Sequence, residues 1–135
     1  MTRHVTLKRR WPERYFTGLS REMKFLREKE LLKRRSTNHP KLAKTDTLAK
    51  PRKSRWTQMF HKVYPGLTYK NVGLPNKIVN EVYNKGLKAW QTGGSRVGAT
   101  PQQWALARVY KFILIAKKKV PEPRYDPDAY LRNIL

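Results

Sequence analysis

The stretch TGGSRVGATPQQW, Thr92 to Trp104, holds three glycines, an arginine and a helix-opening signal within thirteen residues. Glycine-rich loops ahead of helices bind phosphates, because their backbone N–H groups can converge on an anion. Here the spacing is G-G-x-x-x-G, so the G-x-G-x-x-G pattern is not met. No strand pattern precedes it, and no Lys-Ser/Thr pair follows as a P-loop requires. A plainer reading fits the glycines. Gly93-Gly94 ends one helix, Thr100 caps the next, and the loop between has the length that two packed helices need. Gly94, Gly98, Thr100, Trp104 and Arg108 are then structural, with Trp104 and Arg108 four apart and able to stack as a cation–π pair. Arg96 is left over. A cation beside a helix N-terminus faces orphan N–H groups and the positive end of the dipole. A backbone phosphate or a partner's carboxylate would satisfy both; otherwise Arg96 is solvated or bonds back to the carbonyls that end the preceding helix.

Catalytic constellations are scarce. His4, His39 and His61 have no ligand spacing, and no H-E-x-x-H occurs. Glu28 and Glu30 are two apart on a helix and face different sides. Asp126 and Asp128 flank a proline and suit capping and first-turn positions. A metal-dependent nuclease needs several convergent carboxylates, and the nine acids are scattered. We therefore expect no enzyme, no metal site and no cofactor.

Charge is the dominant property. Lys and Arg total 31 against 9 Asp and Glu, a formal net charge of +22 over 135 residues. Such a chain repels itself when compact and calls for an anionic neighbour, of which nucleic acid is the commonest. An acidic protein surface or an anionic membrane ranks lower. Residues 1–62 carry 19 bases and 5 acids, residues 63–135 carry 12 and 4. The absence of cysteine excludes disulfides and thiolate metal sites. The longest apolar run, Phe112 to Ala116, is far below the ~18 residues of a membrane span, and the opening MTRHVTLKRRW has no apolar signal-peptide region. We expect no membrane partner.

The length allows one domain with a modest core. MTRHVTLKRRWPERYFTG reads as an extended basic arm anchored by Trp11, Tyr15 and Phe16. Ser20 is a plausible N-cap for a loosely amphipathic helix to about Arg35. On it Leu19, Met23 and Leu26 form one stripe and Phe25 and Leu32 another, and Lys24–Glu28 and Glu30–Arg34 are spaced to pair. Residues 36–53, with two prolines and scattered bases, read as an irregular linker with little to bury. Ser54 caps a short helix whose Trp56, Met59, Phe60 and Val63 fall at i, i+3, i+4, i+7. Pro75 opens a helix with Ile78, Val79, Val82, Tyr83, Leu87 and Trp90 inward. Gly86 inside it costs about 1 kcal/mol relative to Ala, which close approach of another helix would explain. Thr100-Pro101-Gln102-Gln103 is a capping box opening the last long helix. Ala105, Val109, Phe112, Ile113 and Ala116 hold one face, and Pro121 and Pro123 stop it. RYDPDAYLRNIL suggests a short terminal helix capped by Asp126. The expected fold is all-α: a compact three-helix core at 54–119, an arm, helix and linker at 1–53, and a tail at 120–135.

The run GLKAWQTGGSRVGATPQQWALARVYKF resembles the signature of a small, basic, uncharacterised domain found in phages and large DNA viruses. That signature is a Gly-Leu-x-Ala-Trp helix end, a Gly-x-Arg-Pro-Gly loop and then Gln-x-x-Trp-Ala-x-Ala-Arg-Val. Gly86, Leu87, Ala89, Trp90, Gly94, Arg96, Gly98, Gln102 or Gln103, Trp104, Ala105, Ala107 and Arg108 carry the likeness. Val97 and Lys111 depart from it, standing where proline and serine are expected. The resemblance implies a viral setting and a virion-associated protein; it brings no activity with it.

The expectation that follows is a minor capsid or internal virion protein in a multi-subunit assembly, found in the virion and inside the host cell during assembly. Its partners would be other virion proteins and nucleic acid, DNA ahead of RNA. KRRWPERYF and KPRKSRWTQMFHK interleave cations with rings, so Lys8, Arg9, Arg10, Arg52, Lys53 and Arg55 join Arg96 as anion-contact candidates. Trp11, Tyr15 and Phe16 lie in an arm too short to bury them, which favours an interface with another chain. A ribosomal or other ribonucleoprotein subunit shares this composition. A free DNA-binding regulator is a third reading, with Asn76, Lys77, Asn80, Asn84 and Lys88 on the polar side of one helix.

Overall fold

The computed structural model describes residues 11–37, 41–49 and 54–135. Among them the structure is all-α, with no strand. Helix α1 is Arg21–Ser36, α2 is Arg55–Val63, α3 is Asn76–Gly93, α4 is Pro101–Ala116 and α5 is Ala129–Arg132. Short 3-10 turns lie at Glu13–Tyr15 and Lys44–Thr47. The chain divides into two units. One comprises the described residues of Met1–Arg52 with Lys88–Pro101; the other comprises those of Lys53–Leu87 with Gln102–Leu135.

The caps follow the sequence. Ser20 Oγ accepts from Met23 N at 3.2 Å and Ser54 Oγ from Thr57 N at 3.1 Å, satisfying donors that the first turns leave open. Helix α4 begins at Pro101 and α3 ends at Gly93, with Gly94 at φ +80° beyond it. The end of α4 differs from expectation. It stops at Ala116, well short of Pro121. Lys119 N bonds Leu114 O at 2.8 Å and Lys118 N bonds Ile115 O at 3.0 Å, with Lys118 at φ 58°. This is a Schellman ending with lysine in the place that glycine usually fills. At the start of α5, Asp128 rather than Asp126 holds the N-cap position. Asp126 instead accepts from Asp128 N at 3.1 Å.

The second unit has an ordinary apolar core. Phe60, Val79, Val82, Val109, Phe112, Ile113 and Leu114 are buried there, joined by Val72 and, from the tail, Leu131. The Phe60 and Tyr110 rings stack with centroids 4.3 Å apart. A Cβ on Gly86 would lie 2.7 Å from Ala105 Cα, so this glycine marks the helix-to-helix approach that its position suggested. Arg108 holds Asp128 through two bonds of 2.8 and 3.1 Å, and Arg132 pairs with Asp126 and Glu122, fixing the tail.

The first unit is built differently. Trp11, Tyr15 and Phe16 are buried within it, 3%, 7% and 8% exposed. The reading of an arm too short to bury its aromatics is corrected. From Trp11 onward the chain turns at Glu13–Tyr15 and lays the Trp11 and Tyr15 rings against Gly94 of the glycine-rich loop. The inner face of α1 is also not the one its apolar residues suggest. Arg27, Leu31 and Arg34, at i, i+4 and i+7, are buried, while Phe25 is exposed. Glu30 and Arg34 do not serve as a surface pair: both reach the 45–46 segment. Residues 41–49, expected to be linker, supply buried Thr45 and Asp46 to this unit.

Candidate nucleic-acid and anion interface

The glycine-rich loop is held by buried charge. Arg27 donates from Nε to Tyr15 O at 2.9 Å, from Nη1 to Thr45 Oγ1 and Asp46 Oδ1, each at 3.0 Å, and from Nη2 to Ser95 O at 2.6 Å. Arg34 pairs with the same Asp46 oxygen and donates to Trp90 O and Ser95 Oγ, both at 3.2 Å. Its guanidinium lies 3.6 Å from the Trp90 ring centroid, and the indole N–H of Trp90 reaches Ala99 O at 2.9 Å. The second Asp46 oxygen accepts from Ala43 N at 2.7 Å, and Asp46 O accepts from Gly98 N at 3.1 Å. Glu30 binds both the backbone N and the hydroxyl of Thr45. Burial lowers the Arg34 guanidinium from its ordinary value, and the Asp46 carboxylate opposes that shift. Two buried guanidinium groups thus share one carboxylate, and backbone carbonyls take up their remaining donors. That is how a buried excess of positive charge becomes tolerable.

This geometry answers the question posed by the glycines. Gly94 is left-handed, and a Cβ there would sit 2.7 Å from Trp11 Cδ1. Gly98, also left-handed, passes 3.0 Å from Ala49 O by the same measure. Both glycines are demanded by neighbouring protein atoms. Ser95 is fully buried and gives its carbonyl and hydroxyl to the arginines. Arg96, the one charged residue of this loop, is exposed, and its charge acts on Tyr15. Burial raises the Tyr15 hydroxyl above its ordinary value, and Arg14 and Arg96 pull it back.

The anion-contact candidates fall in three places. Lys8, Arg9, Arg10, Arg52 and Lys53 lie outside the described residues. Arg55 is exposed at the start of α2 with its guanidinium 5.0 Å from the Trp56 ring centroid. Arg96 is exposed on the loop. Arg108 is committed to Asp128. The half-buried Trp104 and Thr100 belong to α4 and the residue before it.

Sequence reasoning missed Arg27, Arg34 and Asp46. The clue was present: Asp46 is the only acid between Glu30 and Glu81, and the arginines are spaced with Leu31 on one helical face. Arginine is mostly an exposed residue, so such a face does not stand out as an inner one.

Ion pairing engages a larger share of the acids than of the bases. Asp46, Glu122, Asp126 and Asp128 all pair with arginines. Among the described residues 18 Lys and Arg are exposed against 4 Glu, so the outside is more cationic than the composition suggests. No group of three or more His, Asp or Glu able to hold a metal occurs among the described residues, and no helix there is long and apolar enough to cross a membrane.

The chain belongs to a family: the family of unknown function DUF5824 matches it over residues 12–132. No curated protein and no solved structure matches it.

Proposed function

We propose that this protein is a non-enzymatic, virion-associated structural component, a minor capsid or internal protein. Its basic segments bind neighbouring virion subunits, encapsidated nucleic acid, or both. The observation that carries this reading is the count, among the described residues, of 18 exposed cations against 4 exposed acids. A surface so unbalanced is comfortable only among anions. The likeness of the Gly86–Arg108 run to a domain of phages and large DNA viruses supplies the viral setting. Trp11, Tyr15 and Phe16 are withdrawn from the set of intermolecular contacts because they are buried within the chain. Arg55 and Arg96 stay in it.

The test is mass spectrometry of particles purified from the source after nuclease treatment. The chain should remain with intact particles. Recovery in ribosome fractions, with release on RNA digestion, would instead identify a ribonucleoprotein subunit.

A further inference from the structure

The second unit carries a face on which rings sit between cations. Lys111 Nζ of α4 lies 5.6 Å from the centroid of the same Trp56 ring that Arg55 approaches from α2. Past the end of both helices, Lys119 Nζ lies 6.0 Å from the Tyr64 ring centroid. Trp56 and Tyr64 are half-buried and pack against the apolar core. Neither ring is a free platform for a base. Each instead presents its negative π-face to ammonium or guanidinium groups, which lets like charges gather that would otherwise spread apart.

The end of α4 adds to this. Lys117, Lys118 and Lys119 are all exposed, at the helix terminus where the dipole favours cations. Lys118 is held left-handed at φ 58°, a conformation in which glycine would be unstrained. The unit's carboxylates do not offset these charges. Glu122, Asp126 and Asp128 pair with Arg132 and Arg108, and Glu81 accepts from Tyr130. None of the ion pairs among the described residues involves Arg55, Lys111 or Lys117–Lys119.

We propose that this face, with Arg55, Lys111 and Lys119 ordered on Trp56 and Tyr64 and with Lys117 and Lys118 beside them, binds the sugar-phosphate backbone of nucleic acid. It reads charge and not base identity. The proposal rests on the nucleic-acid part of the proposed function and adds a location and a mode. A protein partner fits less well, because protein interfaces centre on apolar or aromatic anchors. Here the rings are turned to the core and to their cations.

The experiment is fluorescence anisotropy with the full chain, using a labelled oligothymidylate and a labelled mixed-sequence duplex across a salt series. The variant Arg55→Gln/Lys111→Gln/Lys119→Gln should lose affinity for both. On duplex its slope of log K against log salt should shrink by about 2 to 3, since each phosphate neutralised contributes about 0.9. An equal-charge control, Lys33→Gln/Lys77→Gln/Arg124→Gln, should lose distinctly less. Trp56→Leu keeps every charge, and should weaken both ligands by about three- to tenfold through lost cation ordering; Trp56→Phe covers the case in which Leu disturbs the fold.

Equal losses in the face variant and the control would overturn the location. Weakening by Trp56→Leu for the single strand alone would overturn the mode in favour of base stacking. If the face variant lost affinity for poly-L-glutamate but not for DNA, the ligand would be an acidic protein. A wild-type chain that bound neither oligonucleotide would remove this proposal together with the nucleic-acid part of the proposed function. Binding that survived in the face variant would remove this proposal alone.

Discussion

The two units of this chain solve one problem in opposite ways. The second buries Phe60, Phe112, Ile113, Leu114 and a set of valines, and keeps its arginines at the margins, where Arg108 and Arg132 clip the tail. The first places arginines inside. Arg27 is fully buried and Arg34 nearly so, with Leu31 between them and Asp46 as their shared counter-ion. A chain so rich in bases and so poor in acids has limited means of keeping positive charge indoors. Here one aspartate, three backbone carbonyls, two hydroxyls and a tryptophan ring together do it. Apolar packing tolerates small changes by local adjustment, whereas a charged cluster depends on each partner.

The sharpest way to break that contrast is Asp46→Asn. It keeps the shape and removes the charge, leaving two buried guanidinium groups without the carboxylate they both contact. A loss of about 3–5 kcal/mol is expected in denaturant unfolding. Repeating it in an Arg27→Met background should cost less, because the uncompensated charge is already reduced. Equal losses would show that the cluster is not coupled. Gly94→Ala comes next. It combines a left-handed backbone with overlap on the Trp11 ring, so roughly 2–4 kcal/mol should be lost. Trp11→Ala should recover part of the overlap component when combined with it.

In the second unit Gly86→Ala should destabilise by about 1–3 kcal/mol, although alanine is the better helix former. The nearest atom is Ala105 Cα, backbone that cannot step aside, so adding Ala105→Gly should not restore stability. Lys118→Gly should do the opposite and raise stability by about 1 kcal/mol by relieving the left-handed lysine. If the lysine is kept for binding, the same variant should lose affinity for polynucleotide while its Tm rises.

The smallest effect concerns pH. Burial, assisted by Tyr69, raises the Tyr110 hydroxyl above its ordinary value of 10.0, and burial raises Tyr15 likewise. A raised acid favours its neutral form in the fold. The stabilisation is complete below about pH 10 and is lost as pH rises through the folded value. Stability should therefore fall on the alkaline side, and Tyr110→Phe should flatten that fall in a pH series of thermal melts.

Much of the second unit was legible in the sequence. Trp56, Met59 and Phe60 follow the helical period, Ser54 is a side-chain cap, Pro101 opens α4, and Gly86 does mark a close approach. These features are local, or repeat at a spacing that the backbone imposes. The first unit was less legible. The 36–53 stretch reads as linker because of its two prolines, its scattered bases and how little it offers to bury, yet Thr45 and Asp46 are buried. The arm reads as extended because it shows no clean period. Its Trp11 and Tyr15 rings in fact lie against Gly94, far along the chain. The anion-contact set was legible only as composition and as interleaving; which cations share a ring was not.

The sequence alone determined the four long helices, the serine caps of α1 and α2, the all-α class and the overwhelming positive charge, since these follow from propensity, period and simple counting. Tertiary structure alone decided which charges go inside, which glycines are irreplaceable and which rings order cations. Those outcomes depend on pairings across long stretches of chain, where a single carboxylate such as Asp46 chooses between solvent and two arginines according to what else has folded around it.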